Sequence, residues 1–131
     1  MTRCFDIAVI GGSLGGVQAA RAACSHGLNV YLCEQTRWIG GQLTSQAVPP
    51  DENRWIESQG ATQSYLTYRK AVRDAYRADP AASDLLRSKD VFCPGCSWVS
   101  RVAHAPSLAH RLLSDSLAPY LASGQDRKSV V

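Results

Sequence analysis

The stretch Ile7-Ala-Val-Ile-Gly-Gly-Ser-Leu-Gly-Gly-Val-Gln-Ala-Ala20 decides the fold of this chain. Residues 5–10 form a short apolar run without clear alternation, as in a parallel strand buried on both faces. Glycines follow, then small residues and helix formers through Cys24, with Gly27 where a helix-ending glycine stands. Residues 28–33 alternate and end at Glu34, giving a second strand. Strand, tight turn, helix and strand within about 30 residues make a βαβ unit, whose crossover is nearly always right-handed.

Each position of the turn has its own task in a dinucleotide-binding loop. Gly11 makes the sharp exit from the strand, the second motif position lets the main chain approach a pyrophosphate, and Gly16 lets the helix pack closely on the strands. N–H groups at the helix start, with the positive end of the dipole, receive the phosphate. Ser13 holds the second position, with Gly12 and Gly15 on either side. Its Cβ crowds the approach, while its hydroxyl can donate to a phosphate oxygen. Glu34 strengthens the reading. An acidic side chain roughly 20 residues beyond the turn accepts hydrogen bonds from both hydroxyls of an adenosine ribose and repels the 2′-phosphate of NADP. The plainer alternatives are a glycine-rich bend without a ligand and a solvated glutamate at a strand end. These residues alone leave FAD and NAD undivided.

Composition narrows the classes. The 131 residues fit one domain and are 45% hydrophobic, the content of a soluble globular protein. Lys and Arg number 14 against 11 Asp and Glu, interspersed, so no basic stripe is available to track a nucleic-acid backbone. No apolar run approaches the roughly 20 residues of a membrane span, and the N-terminus carries Asp6, unlike a signal peptide. A cytoplasmic location is expected, with no membrane and no nucleic acid as partner. Five cysteines at irregular spacing argue against a secreted disulfide framework.

Residues 36–54, with Gly40-Gly41 and Pro49-Pro50, read as a long loop of the kind that is usually functional or disordered. Beyond it Ala61, Tyr65, Tyr68, Val72 and Ala75 recur at helical spacing, with Arg69, Lys70, Arg73 and Asp74 off that stripe. An amphipathic helix is predicted over residues 55–78, stopped by Asp79-Pro80. A turn-rich segment, residues 89–106, leads to a helix carrying Leu108, Leu112, Leu113 and Leu117 on one side and ending near residues 119–124.

Trp38-Ile-Gly-Gly-Gln-Leu-Thr44 and Val48-Pro-Pro-Asp-Glu-Asn-Arg-Trp-Ile-Glu57 carry a resemblance to a known family. The chain resembles the N-terminal part of FAD-dependent oxidoreductases of the glutathione-reductase-type flavoprotein group, in the branch with WIGGQLT followed by VPPDENRWIE. Pro94-Gly95 and Trp98-Val-Ser-Arg101 are similar to a further stretch of that branch, so the match runs over nearly the whole chain. The resemblance implies an α/β fold, an incomplete Rossmann-like (βαβ) FAD-binding domain with additional helices, acting on a small-molecule substrate. It implies FAD as the cofactor, with Gly40, Gly41, Gln42 and Thr44 beside the flavin and its pyrophosphate. The cofactor-binding set is then Gly11, Gly12, Ser13, Gly16, Glu34, Gln35, Gly40, Gly41, Gln42 and Thr44. Arg37 pairs with a phosphate or is solvated; spacing does not choose. Trp38 and Trp55 are expected as packing residues. No residue is readable as a catalytic acid or base.

Cys93-Pro-Gly-Cys96 is open to three readings: a dithiol that passes electrons, two unpaired thiols in a turn, or half of a zinc site. A full zinc site needs two more ligands, and Cys4, Cys24 and Cys33 fall in or against predicted core elements while His104 and His110 are isolated in the sequence. Residues 1–124 are expected to form a partial FAD-binding domain, inactive alone and marginal in stability, with the apolar residues of both strands partly uncovered. Residues 125–131 are expected as a non-native or disordered tail, because Asp-Arg-Lys-Ser-Val-Val131 is what a common sequencing adapter reads in one frame. A nucleotide-binding or redox-partner subunit without catalysis of its own is the alternative from another class.

Overall fold

The computed structural model describes residues 4–123 and 126–130. Strand β1 (Ile7–Ile10) enters the glycine turn, helix α1 (Leu14–Ser25) follows, and strand β2 (Val30–Glu34) returns parallel to β1 with Ile7 opposite Val30 and Ile10 opposite Cys33. The βαβ unit is therefore present with the boundaries the glycines dictate. At the far end of α1, Gly27 takes φ 80 and its N–H caps the Cys24 carbonyl at 2.9 Å. Asp6 ties the strand start to the turn before β2 by accepting the Asn29 N–H at 2.8 Å.

The loop after β2 contains one turn of helix, α2 (Gln42–Ser45). The helix expected over residues 55–78 is shorter, α3 (Gln63–Arg77), because Gly60 at φ 84 and the Thr62 cap, whose hydroxyl accepts the Tyr65 N–H, set its start. Residues 54–59 turn back on themselves instead, with the Gln59 N–H on the Trp55 carbonyl at 2.9 Å. A short helix α4 (Asp84–Arg87) precedes the long α5 (Pro106–Ser123). Among the described residues no helix is long and apolar enough to cross a membrane.

Two expectations about the sheet change. Asp126–Val130 forms a third strand, β3, parallel to β2 with Leu32 opposite Lys128, within the segment expected as a non-native or disordered tail; Gln125 and Val131 lie outside the described residues. A parallel ladder is made by main-chain N–H and C=O groups, and β2 offers an edge for it whatever the side chains are. The order β1-β2-β3 is that of half a doubly wound sheet. Burial also divides unevenly between the strands. Val30 and Leu32 are fully buried, since α1 and α5 bring Val17, Ala20, Leu113 and Leu117 over them. β1 sits at the sheet edge, so Ile10 is 77% exposed and Ile7 38%, partly uncovered as expected, whereas β2 is covered where it too was expected to be partly bare.

Arg69 and Arg73, off the apolar stripe of α3, are buried as well. They are 1% and 6% exposed and lie between α3 and the loops before and after it. Arg69 pairs with Asp51 and with Glu57 (2.8 Å), and Arg73 pairs with Glu57 while its Nε donates to the Phe92 carbonyl at 2.9 Å. Tyr65 donates its hydroxyl to Asp51 at 2.5 Å. Burial alone would raise the pKa of Glu57, yet the two guanidinium groups hold it below the ordinary carboxylate value. The Val48-to-Glu57 stretch is thus clamped onto α3 by charge.

Candidate functional site

Parallel α/β sheets bind ligands outside the carboxyl ends of their strands. Here the ends of β1 and β2 frame a cleft of about 430 Å³ lined by Ile10, Gly11, Cys33, Glu34 and Gln35. Gly11 turns the chain out of β1 at φ 101, a conformation closed to most L residues. Ser13 then caps α1: its hydroxyl oxygen accepts the Gly16 N–H at 3.3 Å. The hydroxyl hydrogen stays available to donate, and the cap sets the amide-rich, positive end of α1 beside the turn.

Glu34 reaches back from the end of β2 to that turn. One carboxylate oxygen accepts the Gly12 N–H at 2.7 Å, and the other accepts the Thr36 N–H at 2.9 Å. These contacts, the Thr36 N–H foremost, hold the Glu34 pKa below its ordinary value, so the group is a carboxylate at neutral pH. Thr36 places its hydroxyl 3.0 Å from Glu34 Oε1 and 2.8 Å from the Trp38 carbonyl oxygen, and so ties the carboxylate to the loop that follows. With each oxygen offering two lone pairs, the carboxylate keeps acceptor capacity toward the cleft.

That loop returns to lie against the turn. The Gly40 N–H donates to the Gly12 carbonyl at 2.7 Å, and Gly40 bridges Ser13 as an isolated parallel pair. A Cβ on Gly41 would stand 3.0 Å from the Ser13 Cβ, so the room that serine takes at the second motif position is left by a glycine opposite it. A Cβ on Gly12 would stand 3.0 Å from Glu34 Oε2 and 2.9 Å from the buried Ile39. A Cβ on Gly16 would stand 1.9 Å from the Gly11 carbonyl oxygen. The close approach of helix to strand, and of carboxylate to turn, depends on these positions carrying no side chain. The cleft is thus lined by a turn of bare main chain with a carboxylate hydrogen-bonded to it.

The structure therefore gathers Gly11, Gly12, Ser13, Gly16, Glu34, Gly40 and Gly41 into one cluster, with Gln35 exposed on the cleft wall. Gln42 opens α2 with an exposed side chain, and the Thr44 hydroxyl donates to the Gly41 carbonyl at 3.1 Å, bracing the loop. A second cleft of about 360 Å³ opens on the other side of the loop, lined by Thr36, Arg37, Trp38, Thr44 and Ser45. Trp38 stacks on His110 at 5.3 Å between ring centroids, and Trp55 is half-exposed with the Arg54 guanidinium over its ring. Sequence reasoning missed Thr36, although a Thr two residues after an acidic side chain is a recognisable local hydrogen-bonding pattern. His104 Nε2 lies 2.7 Å from the Tyr68 hydroxyl, and burial lowers its pKa.

Residues 6–125 match the family described as FAD dependent oxidoreductase. Over 55 residues, 42% of this chain, it is 36% identical to a glutathione reductase of Schizosaccharomyces pombe, covering 12% of that protein. Over 44 residues, 34% of this chain, it is 46% identical to a bilirubin reductase of Mediterraneibacter gnavus, covering 7% of that protein. A solved oxidised steroid monooxygenase bound to NADP superposes with a TM-score of 0.46 at 15% identity, over 95% of this chain and 19% of the other. The matched stretches are thus a small part of each relative's length.

Proposed function

This chain belongs to the family of FAD dependent oxidoreductases, and from that membership we propose that it is the N-terminal, ADP-holding part of a flavin enzyme. FAD is the cofactor. When bound, its flavin supplies acceptance of a hydride or an electron pair from a small-molecule substrate. The chain's own residues bind and orient it. The N–H groups at the front of α1, from Ser13 onward, hold the diphosphate, the Gly11 and Gly12 N–H groups being taken by the Cys33 carbonyl and the Glu34 carboxylate, and Gly16 keeps that helix close enough to do so. Glu34 accepts from the ribose hydroxyls, Gln35 lines the cleft beside it, and Gly40, Gly41, Gln42 and Thr44 form the edge nearest the flavin. No side chain here is assigned a proton-transfer role.

One observation carries the reading: the Glu34 carboxylate lines the carboxyl-end cleft against the glycine turn, hydrogen-bonded to the Gly12 N–H at 2.7 Å. Titration calorimetry of the full chain with ADP and with 2′-phospho-ADP tests it. A carboxylate at the ribose disfavours the added phosphate, so binding at least about tenfold weaker, or 1.4 kcal/mol, is expected for the second ligand. In Glu34→Gln the preference should fall away, since the repelling charge is gone. Equal affinities in the parent chain would remove Glu34 from the ribose and defeat the proposal.

A further inference from the structure

The turn at Cys93-Pro94-Gly95-Cys96 has no part in the cofactor cleft. We infer that Cys93 and Cys96 are a reversible dithiol–disulfide pair open to exchange with low-molecular-weight disulfides. The Cys96 N–H donates to the Cys93 carbonyl at 3.2 Å, closing a tight turn. Such a turn keeps its end Cα atoms within about 7 Å, and a disulfide spans roughly 4.4–6.8 Å between Cα atoms. Pro94 stiffens the link, and Gly95 pins it from behind. The Gly95 N–H donates to the Ala103 carbonyl at 2.8 Å, and a Cβ on Gly95 would stand 3.0 Å from that oxygen.

The two sulfurs are unequal, as an attacking and a resolving cysteine need to be. Cys96 is exposed and takes φ 50, a left-handed conformation that L side chains seldom adopt and that concentrates at functional positions. Cys93 is half-buried; its thiol donates to the Ser100 carbonyl at 3.2 Å, and its sulfur accepts the Ser97 N–H at 3.3 Å. Among the described residues no group of three or more Cys, His, Asp or Glu is gathered to hold a metal ion. In the exchange, the Cys96 thiolate attacks one sulfur of RS–SR, forming Cys96–S–SR and releasing RS⁻. Cys93 then gives its proton to solvent and attacks the Cys96 sulfur, displacing the second RS⁻. The chain loses two electrons and two protons, and RS–SR becomes two RSH.

Cleavage after Lys89 and Arg101 by trypsin leaves both cysteines, and no others, in one peptide, residues 90–101. The full chain is equilibrated in graded mixtures of glutathione and glutathione disulfide, quenched with an alkylating reagent, digested and weighed. The expected result is a peptide lighter by two hydrogens that refuses the alkylating reagent, and glutathione retained on Cys96 in Cys93→Ser, which lacks the resolving thiol. Two alkyl groups, or two glutathiones, on the parent peptide in fully oxidised buffer would overturn the pair. So would a disulfide joining two copies of the peptide.

Discussion

Replacing Gly16 by valine is expected to destabilise the chain by about 3 kcal/mol or more and to abolish ADP binding, because overpacked sites that cannot relax exceed the usual 1–3 kcal/mol. The obstacle is main chain. Even the first carbon of the new side chain would stand 1.9 Å from the Gly11 carbonyl oxygen and 3.1 Å from its carbon, so α1 would have to move away from β1. That movement also opens the turn in which Gly12 meets Glu34 and Ser13 meets Gly41. Gly15→Ala is the matched control. A Cβ there would meet only the Ser13 hydroxyl oxygen, at 3.8 Å, and alanine is the better helix former by roughly 0.8–1 kcal/mol. Urea midpoints should therefore fall for Gly16→Val and hold or rise for Gly15→Ala. Equal losses would mean that general glycine flexibility, rather than close helix–strand contact, matters at this turn.

Arg69→Ala is expected to cost about 3–5 kcal/mol, the range for breaking a buried ion pair from one side. Asp51 and Glu57 would both lose a guanidinium partner, and Tyr65 would lose the cation 5.7 Å above its ring. Lys70, one residue on, provides the contrast. Its pair with Asp74 is on the surface, so Lys70→Ala should change stability by about 1 kcal/mol or less. Amide hydrogen exchange locates the effect: residues 48–57 should lose protection in Arg69→Ala and keep it in Lys70→Ala. An Arg69→Ala chain with unchanged exchange in that stretch would show that the loop is held by its own turns instead.

Legibility in the sequence followed the physics of each element. The βαβ unit could be read because the glycines, the apolar run and Gly27 each impose a local backbone consequence. β3 could not, since a strand made by main-chain pairing at the edge of β2 carries no apolar pattern in Asp-Arg-Lys-Ser-Val. The burial of Arg69 and Arg73 off the apolar stripe was not readable, because spacing records the side chain and not its partner. The signal that was available is three acids, Asp51, Glu52 and Glu57, in an otherwise turn-rich stretch ahead of two arginines four residues apart; Asp51 and Glu57 make the pairs. In the site, the Gly11-to-Gly16 turn and Glu34 were legible as a pair. Their mutual hydrogen bond, the support of Thr36, and the fit of Gly41 against Ser13 were not, since each arises from a loop folding back rather than from spacing.

The most direct measurement of the account is nuclear magnetic resonance of the isotope-labelled full chain titrated with ADP. The amide signals of Gly11, Gly12, Ser13, Gly15 and Gly16 should move together with those of Glu34 and Gln35 along a single saturation curve. Shifts confined to other parts of the chain, or a turn that stays silent while ADP binds, would contradict a diphosphate at the front of α1.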